Sequence, residues 1–210
     1  QARACAEIGV DIARPVPMLR LLQGDVGSGK TVVAALTLLR AIELGYQAAI
    51  MAPTELLAEQ HLRNLRRWFE PLGVPVLWLS GKLTRAQREA TIAAVRETPG
   101  AAIVGTHALF QEAVAFRDLA LVVIDEQHRF GVHQRLQLRD KGRGDHGEPH
   151  QLVMTATPIP RTLAMTAYAD LDVSVIDELP PDRQPIQTSV VPDSRRAEIV
   201  ERIAAATHAG

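Results

Sequence analysis

Leu19 to Leu22, Ala48 to Ala52, Val74 to Leu79, Ala101 to Val104, Leu119 to Ile124 and Leu152 to Met154 form a series of short apolar runs, most of them spaced to hold a helix between neighbours. In Leu119-Ala120-Leu121-Val122-Val123-Ile124 no polar residue alternates with the apolar ones. Such a strand is buried on both faces, as in a parallel sheet covered by helices on either side. The intervening segments have the matching period. From Thr54 to Leu72 the residues Ala58, Leu62, Leu65, Phe69 and Leu72 share one side of a helix, with Glu59, Arg63, Arg66 and Arg67 elsewhere. Thr31 to Leu44, ended by Gly45, and Thr84 to Arg96, stopped by Thr98-Pro99-Gly100, read as two more helices. The expected fold is α/β, a mostly parallel sheet flanked by helices.

Two regions interrupt this pattern. DKGRGDHGEP, between Arg139 and Pro149, reads as a surface loop, and LPPDRQP, from Leu179, reads as a linker before a short strand, Ile186 to Val191. Asp182 lies in that linker. The basic residues Arg129, Arg135, Arg139, Lys141 and Arg143 suit either a solvated surface or a contact edge. Trp68 and Trp78 sit among apolar neighbours and read as core.

A chain of 210 residues suits one domain with a sizeable core. Lys+Arg total 23 against 24 Asp+Glu, a formal charge of -1, so any nucleic-acid contact must be local. Aromatics at 4% argue against a base-stacking platform and leave backbone contacts open. Cys5 is the one cysteine, so no internal disulfide forms, and no CxxC or HExxH string offers a zinc site. No apolar run approaches the roughly 18 residues of a membrane helix, and QARACAEIGVDIARP lacks the features of a signal peptide. A soluble, cytoplasmic protein without a membrane partner is expected. Because the sequence begins at glutamine and ends without a closing strand, it reads as an excised piece.

The strongest chemical signal is Gly24-Asp25-Val26-Gly27-Ser28-Gly29-Lys30-Thr31, a GxxxxGK[ST] pattern between an apolar strand and a helix. Its glycines let backbone N–H groups converge on a concavity, and the following helix points the positive end of its dipole at the same place. Phosphate is the natural occupant, with Lys30 on the β and γ phosphates and the Thr31 hydroxyl on Mg²⁺. Downstream, the buried strand Leu121 to Ile124 ends in Asp125 and Glu126. Paired acids in a P-loop protein suit a magnesium ligand, Asp125, and a group that orients and deprotonates the attacking water, Glu126. The same two acids would otherwise serve as a helix cap.

In sequence order, GDVGSGKT, DEQH and Thr155-Ala156-Thr157 resemble motifs I, II and III of the first motor lobe of superfamily 2 helicases. APTELLAEQH, VGTHALFQE, VVIDEQHRFGVHQR and MTATPIPRTLAMTAYADLDVSVIDELPP resemble the bacterial ATP-dependent DNA helicases that remodel replication forks, over Pro17 to Arg196. Transcription-repair coupling translocases share HRFGV and TATPIPRTL but typically carry DEEH, so they are the alternative. A P-loop kinase or GTPase lacks support because no NKxD-like string occurs, and a non-catalytic docking module is at odds with intact Lys30, Thr31, Asp125 and Glu126.

The resemblance implies a RecA-like P-loop lobe over residues 1–178, with a linker and the start of a second lobe over 179–210. It implies ATP and Mg²⁺ as cofactors, Lys30 and Glu126 as catalytic residues, and Gln1 as the end of an adenine-sensing motif. His128, Thr155 and Thr157 become residues coupling nucleotide to DNA; alone, His128 reads equally as a partly buried histidine and the threonines as a cap. Pro53, Thr54 and Glu55, with Gly105, Thr106 and His107, match motifs Ia and Ib, which hold the DNA backbone. N-capping by Thr54 and Thr106 uses the same geometry. The implied partners are branched or forked DNA and the second RecA-like lobe and wedge domain of the same protein, acting as a monomer. A lone first lobe, lacking the arginine finger of the second, should be nearly inactive.

Overall fold

The computed structural model describes residues 1–126, 147–157, 171–178 and 188–209. The chain divides into two compact units, Gln1–Leu179 and Pro180–Gly210. The first holds a 7-stranded sheet built from β1 (Leu19–Gly24), β2 (Gln47–Met51), β3 (Val76–Leu79), β4 (Ala102–Gly105), β5 (Leu119–Asp125), β6 (His150–Thr155) and β7 (Asp172–Ile176). The strands lie in the order β3-β4-β2-β5-β6-β1-β7, and every pairing is parallel. All carboxyl ends therefore open on one edge.

Helices α1 (Ala2–Ile12), α2 (Lys30–Glu43), α3 (Glu55–Phe69) and α4 (Arg85–Glu97) cover the sheet. Successive strand residues pack into opposite cores, which is why the runs do not alternate with polar residues. Ala48, Ile50, Leu121 and Val123 join Ile8, Val33, Leu38, Leu65 and Phe69 on one side. Ala49, Met51, Val122 and Ile124 join Val95, Ile103 and Leu109 on the other. Full burial of each large aliphatic side chain contributes about 1.5–3 kcal/mol, so the two layers hold the sheet from both faces. Trp68 and Trp78 pack partly buried against the first cluster, as expected.

Local chemistry sets the helix starts. Thr84 and Gln87 form a reciprocal capping box that begins α4, and the Thr54 hydroxyl accepts from Leu57 N at 3.4 Å to begin α3. The second unit contains a 3-10 turn, Asp193–Arg195, followed by α5 (Arg196–Ala209).

Several expectations need adjustment. Leu72 lies 60% exposed in a 3-10 turn, Glu70–Leu72, after α3 has ended at Phe69. Ala58, Leu65 and Phe69 of α3 are buried and Leu62 packs partly buried against the same core, as the pattern requires, while His61 is buried beside them without an apolar signal. The strand expected over Ile186 to Val191 is not formed in its described part, 188–191, which has no regular structure. The Arg139–Pro149 loop up to residue 146, the basic cluster and the LPPDRQP linker with Asp182 lie outside the described residues.

α1 and β7 were not anticipated, and they depend on each other. Arg20, on β1 and only 8% exposed, donates through Nε to Asp11 Oδ2 at 2.7 Å and through a terminal nitrogen to Ser174 Oγ at 2.9 Å. Ser174 in turn donates to Glu7. This network ties α1 across β1 to the edge strand β7. Arg20→Ala leaves buried Asp11 with only the solvent-exposed Arg14, 3.0 Å from its Oδ1, as cation, a loss toward the lower end of the about 3–5 kcal/mol that breaking a buried pair costs. Urea denaturation of the variant should show a loss of that size.

Candidate functional site

Gly24 ends β1 and the turn to α2 follows at once. Gly27 and Gly29 have φ of 82° and 91°, so L side chains there would be strained. A Cβ on Gly24 would sit 2.6 Å from Ser28 Oγ and 3.1 Å from Ile176 Cβ, so a larger residue there would force its neighbours to shift. Ser28 Oγ is buried with no hydrogen-bond partner, an orphaned polar atom inside the loop. A phosphate oxygen is an acceptor that would satisfy it.

Lys30 opens α2, and its Nζ donates to the carbonyls of Gly24 at 2.7 Å and Asp25 at 2.9 Å. Burial pushes its pKa below the ordinary lysine range, against the pull of Asp125, Glu126 and Asp25. A partly desolvated ammonium inside such a loop has much to gain from an anion. Gln1, at the start of α1, donates from Nε2 to Ser28 O at 2.9 Å and crowds Gly29, so the residue expected to end an adenine-sensing motif touches the loop itself.

The register brings the acids to the same edge. Leu22 pairs with Met154, and Met154 with Asp125, so β6 alone separates the P-loop strand from the acidic strand. Two strand spacings are about 10 Å, room for a polyphosphate between them. Thr31 and Asp125 are oxygen donors, the set a hard cation prefers. Among the described residues no group of three or more His, Cys, Asp or Glu could hold an ion unaided.

Glu126 has φ 49°, the one positive φ among described non-glycine residues. Such a backbone costs of order 1–3 kcal/mol and persists only when surroundings enforce it. Here the Glu126 amide donates to Met154 O at 3.0 Å, while its carboxylate accepts from Ala156 N at 3.3 Å. The end of β6 continues the connection: the Thr155 and Thr157 hydroxyls lie 2.8 Å apart, and Thr157 N donates to Thr155 Oγ1 at 3.2 Å. His128 lies outside the described residues.

The residues matched to motifs Ia and Ib gather at the ends of β2 and β4 in unequal exposure. Thr54 and His107 face solvent, Pro53 and Glu55 are half-buried, and Gly105 and Thr106 are buried. Glu55 ties the group together. Its carboxylate accepts from Ser80 Oγ at 2.5 Å and Gly81 N at 3.1 Å, with Thr106 Oγ1 at 3.5 Å. Gly105 is there for space, because a Cβ would collide with the carbonyl of Leu79 and the side chain of Leu109.

Two features escaped sequence reasoning. One is the Glu55 brace, which has no local signature. The other is His61, whose Nε2 lies 2.8 Å from Asp125 Oδ2; the spacing Ala58, His61, Leu65, Phe69 was the signal available.

A parallel sheet with a P-loop, an acidic strand end and a threonine pair on one edge is the arrangement of a nucleotide-dependent motor lobe. The sequence matches the DEAD/DEAH box helicase family model over residues 1–166, and the chain belongs to that family. It is 64% identical over 203 residues to the ATP-dependent DNA helicase RecG of Escherichia coli (strain K12), covering 97% of this chain and 29% of that protein. It is 57% identical over 210 residues to the RecG of Acidithiobacillus ferridurans, covering 100% of this chain and 30% of that protein. The structure of RecG bound to a three-way DNA junction superimposes with a TM-score of 0.83 at 44% identity, covering 100% of this chain and 27% of that one. The likeness to bacterial ATP-dependent DNA helicases thus extends across the chain, which spans about three tenths of the curated relatives' length.

Gly105→Ala should destabilise the fold by about 1–3 kcal/mol, the range for overpacking a tight site. Thermal unfolding of the variant would register this, while nucleotide affinity, set at the other strands, should stay near wild type.

Proposed function

We propose that this chain is the first, ATP-binding motor lobe of a cytoplasmic DNA helicase that remodels branched DNA, such as stalled replication forks and recombination intermediates. The observation that carries the reading is the convergence of Lys30, Asp125 and Glu126 on one sheet edge, where the acids bear on the lysine's charge. The likeness to RecG supports the choice of substrate.

In this reading Gly24 to Lys30 hold the triphosphate with backbone amides, and Lys30 meets the β and γ oxygens. Mg²⁺, held by Thr31 and Asp125, would neutralise charge on the phosphates. Glu126 orients the attacking water and accepts its proton. Its bond to Ala156 N carries the state of the γ phosphate to Thr155 and Thr157. Thr54 and His107, the exposed members of their motifs, meet DNA phosphates without reading bases. Gly105, Thr106 and Glu55 shape that surface from behind. Residues 179–210 are the linker and the start of a second lobe, which would supply the arginine that completes the site.

A phosphate-release assay comparing the 210-residue chain with the full-length protein, each with and without forked DNA, tests this. The chain alone should turn over on the order of 10³-fold or more slower than the DNA-stimulated full-length protein, the scale of a missing arginine finger. Robust DNA-stimulated turnover by the lone chain would refute the half-site. In the full-length protein, Glu126→Gln should bind nucleotide near wild-type affinity while losing about 10²–10⁴-fold in rate. Lys30→Ala should lose nucleotide affinity, and unchanged affinity in that variant would remove the site from the P-loop.

A further inference from the structure

His61 has no part in the reading above, yet it is a buried polar residue, 5% exposed. It sits on the sheet-facing side of α3, with Ala58 and Leu65 on the same face. Its Nε2 lies 2.8 Å from Asp125 Oδ2, and its Nδ1 is buried with no hydrogen-bond partner. An ionised carboxylate only accepts, so Nε2 carries the proton and donates. The imidazole is thus held by packing and by one bond, and that bond points at Asp125.

We infer that His61 is a positioning residue that fixes the Asp125 carboxylate for the nucleotide's magnesium, acting from the helix whose first turn carries motif Ia. The inference rests on the proposed role of Asp125 as metal ligand. Carboxylates that bind metals are commonly oriented by a second hydrogen bond, and losing such a partner typically costs 10–100-fold in metal affinity. The donor occupies Oδ2 and leaves Oδ1 to the cation. Its place on α3 adds a second consequence. Glu55 and His61 are six residues apart, about 9 Å along a helix, so a shift of the DNA-facing turn moves the imidazole with it.

The test is the affinity of the full-length protein for a fluorescent ADP analogue as magnesium is titrated, a binding readout independent of turnover. Wild-type affinity should rise with magnesium. In His61→Leu the half-saturating magnesium concentration should rise on the order of 10-fold, with metal-free affinity little changed. His61→Gln, whose amide keeps a donor of similar reach, should restore most of the loss. Thermal melts report whether each variant folds. If the leucine variant does not, His61→Asn, polar but too short to reach, carries the same expectation. A folded leucine or asparagine variant with the wild-type magnesium curve overturns the inference, as does a glutamine variant shifted as far as the leucine one. A wild-type protein indifferent to magnesium overturns the metal role of Asp125 itself, a failure visible before any variant is made.

Discussion

The parallel hydrogen bonding of β1, β6 and β5 is the constraint from which the site follows. Parallel strands deliver their carboxyl ends to one edge, and a register that levels Leu22, Met154 and Asp125 brings the P-loop and the acids together with one strand between them. The intervening strand ends in Thr155, so the threonine motif occupies the gap between the other two by topology. Glu126 joins the end of β6 through both its amide and its carboxylate, and its unusual backbone is enforced there.

The six strands read from apolar runs all exist, as do three helices, because residues buried on both faces of a sheet or along one face of a helix leave a strong periodic mark. β7 left none. It is an edge strand in which Ser174 is buried among charged partners more than 150 positions away, so its stability is a tertiary matter. α1 was missed for the same reason: Asp11 is buried where Arg20, from another element, meets it. The P-loop and the acidic pair were legible because their chemistry demands particular residues at fixed spacing. His61 and the bracing contacts of Glu55 were not, since each works through partners contributed by other elements.

Motifs Ia and Ib show how one string can serve two ends. Thr54 both caps α3 and faces solvent, so capping and a role toward a phosphate backbone are not exclusive. Glu55, by contrast, spends its carboxylate on Ser80 and Gly81, groups at the end of β3. Its carboxylate acts as a strut between the turns that follow β2 and β3. The buried position of Thr106 and the tight contact at Gly105 fit the same division between supporting and presenting residues.

The Arg20 network binds the first dozen residues to a strand that arrives at the far end of the lobe. Trimming α1 would strip Asp11 and Glu7 from Arg20 and Ser174 and loosen β7 from its place. The backbone of β1 would then stand open along its length, an invitation for another chain to add a strand. Shortened versions of this lobe that begin after Ile12 should be prone to aggregate however intact their nucleotide site.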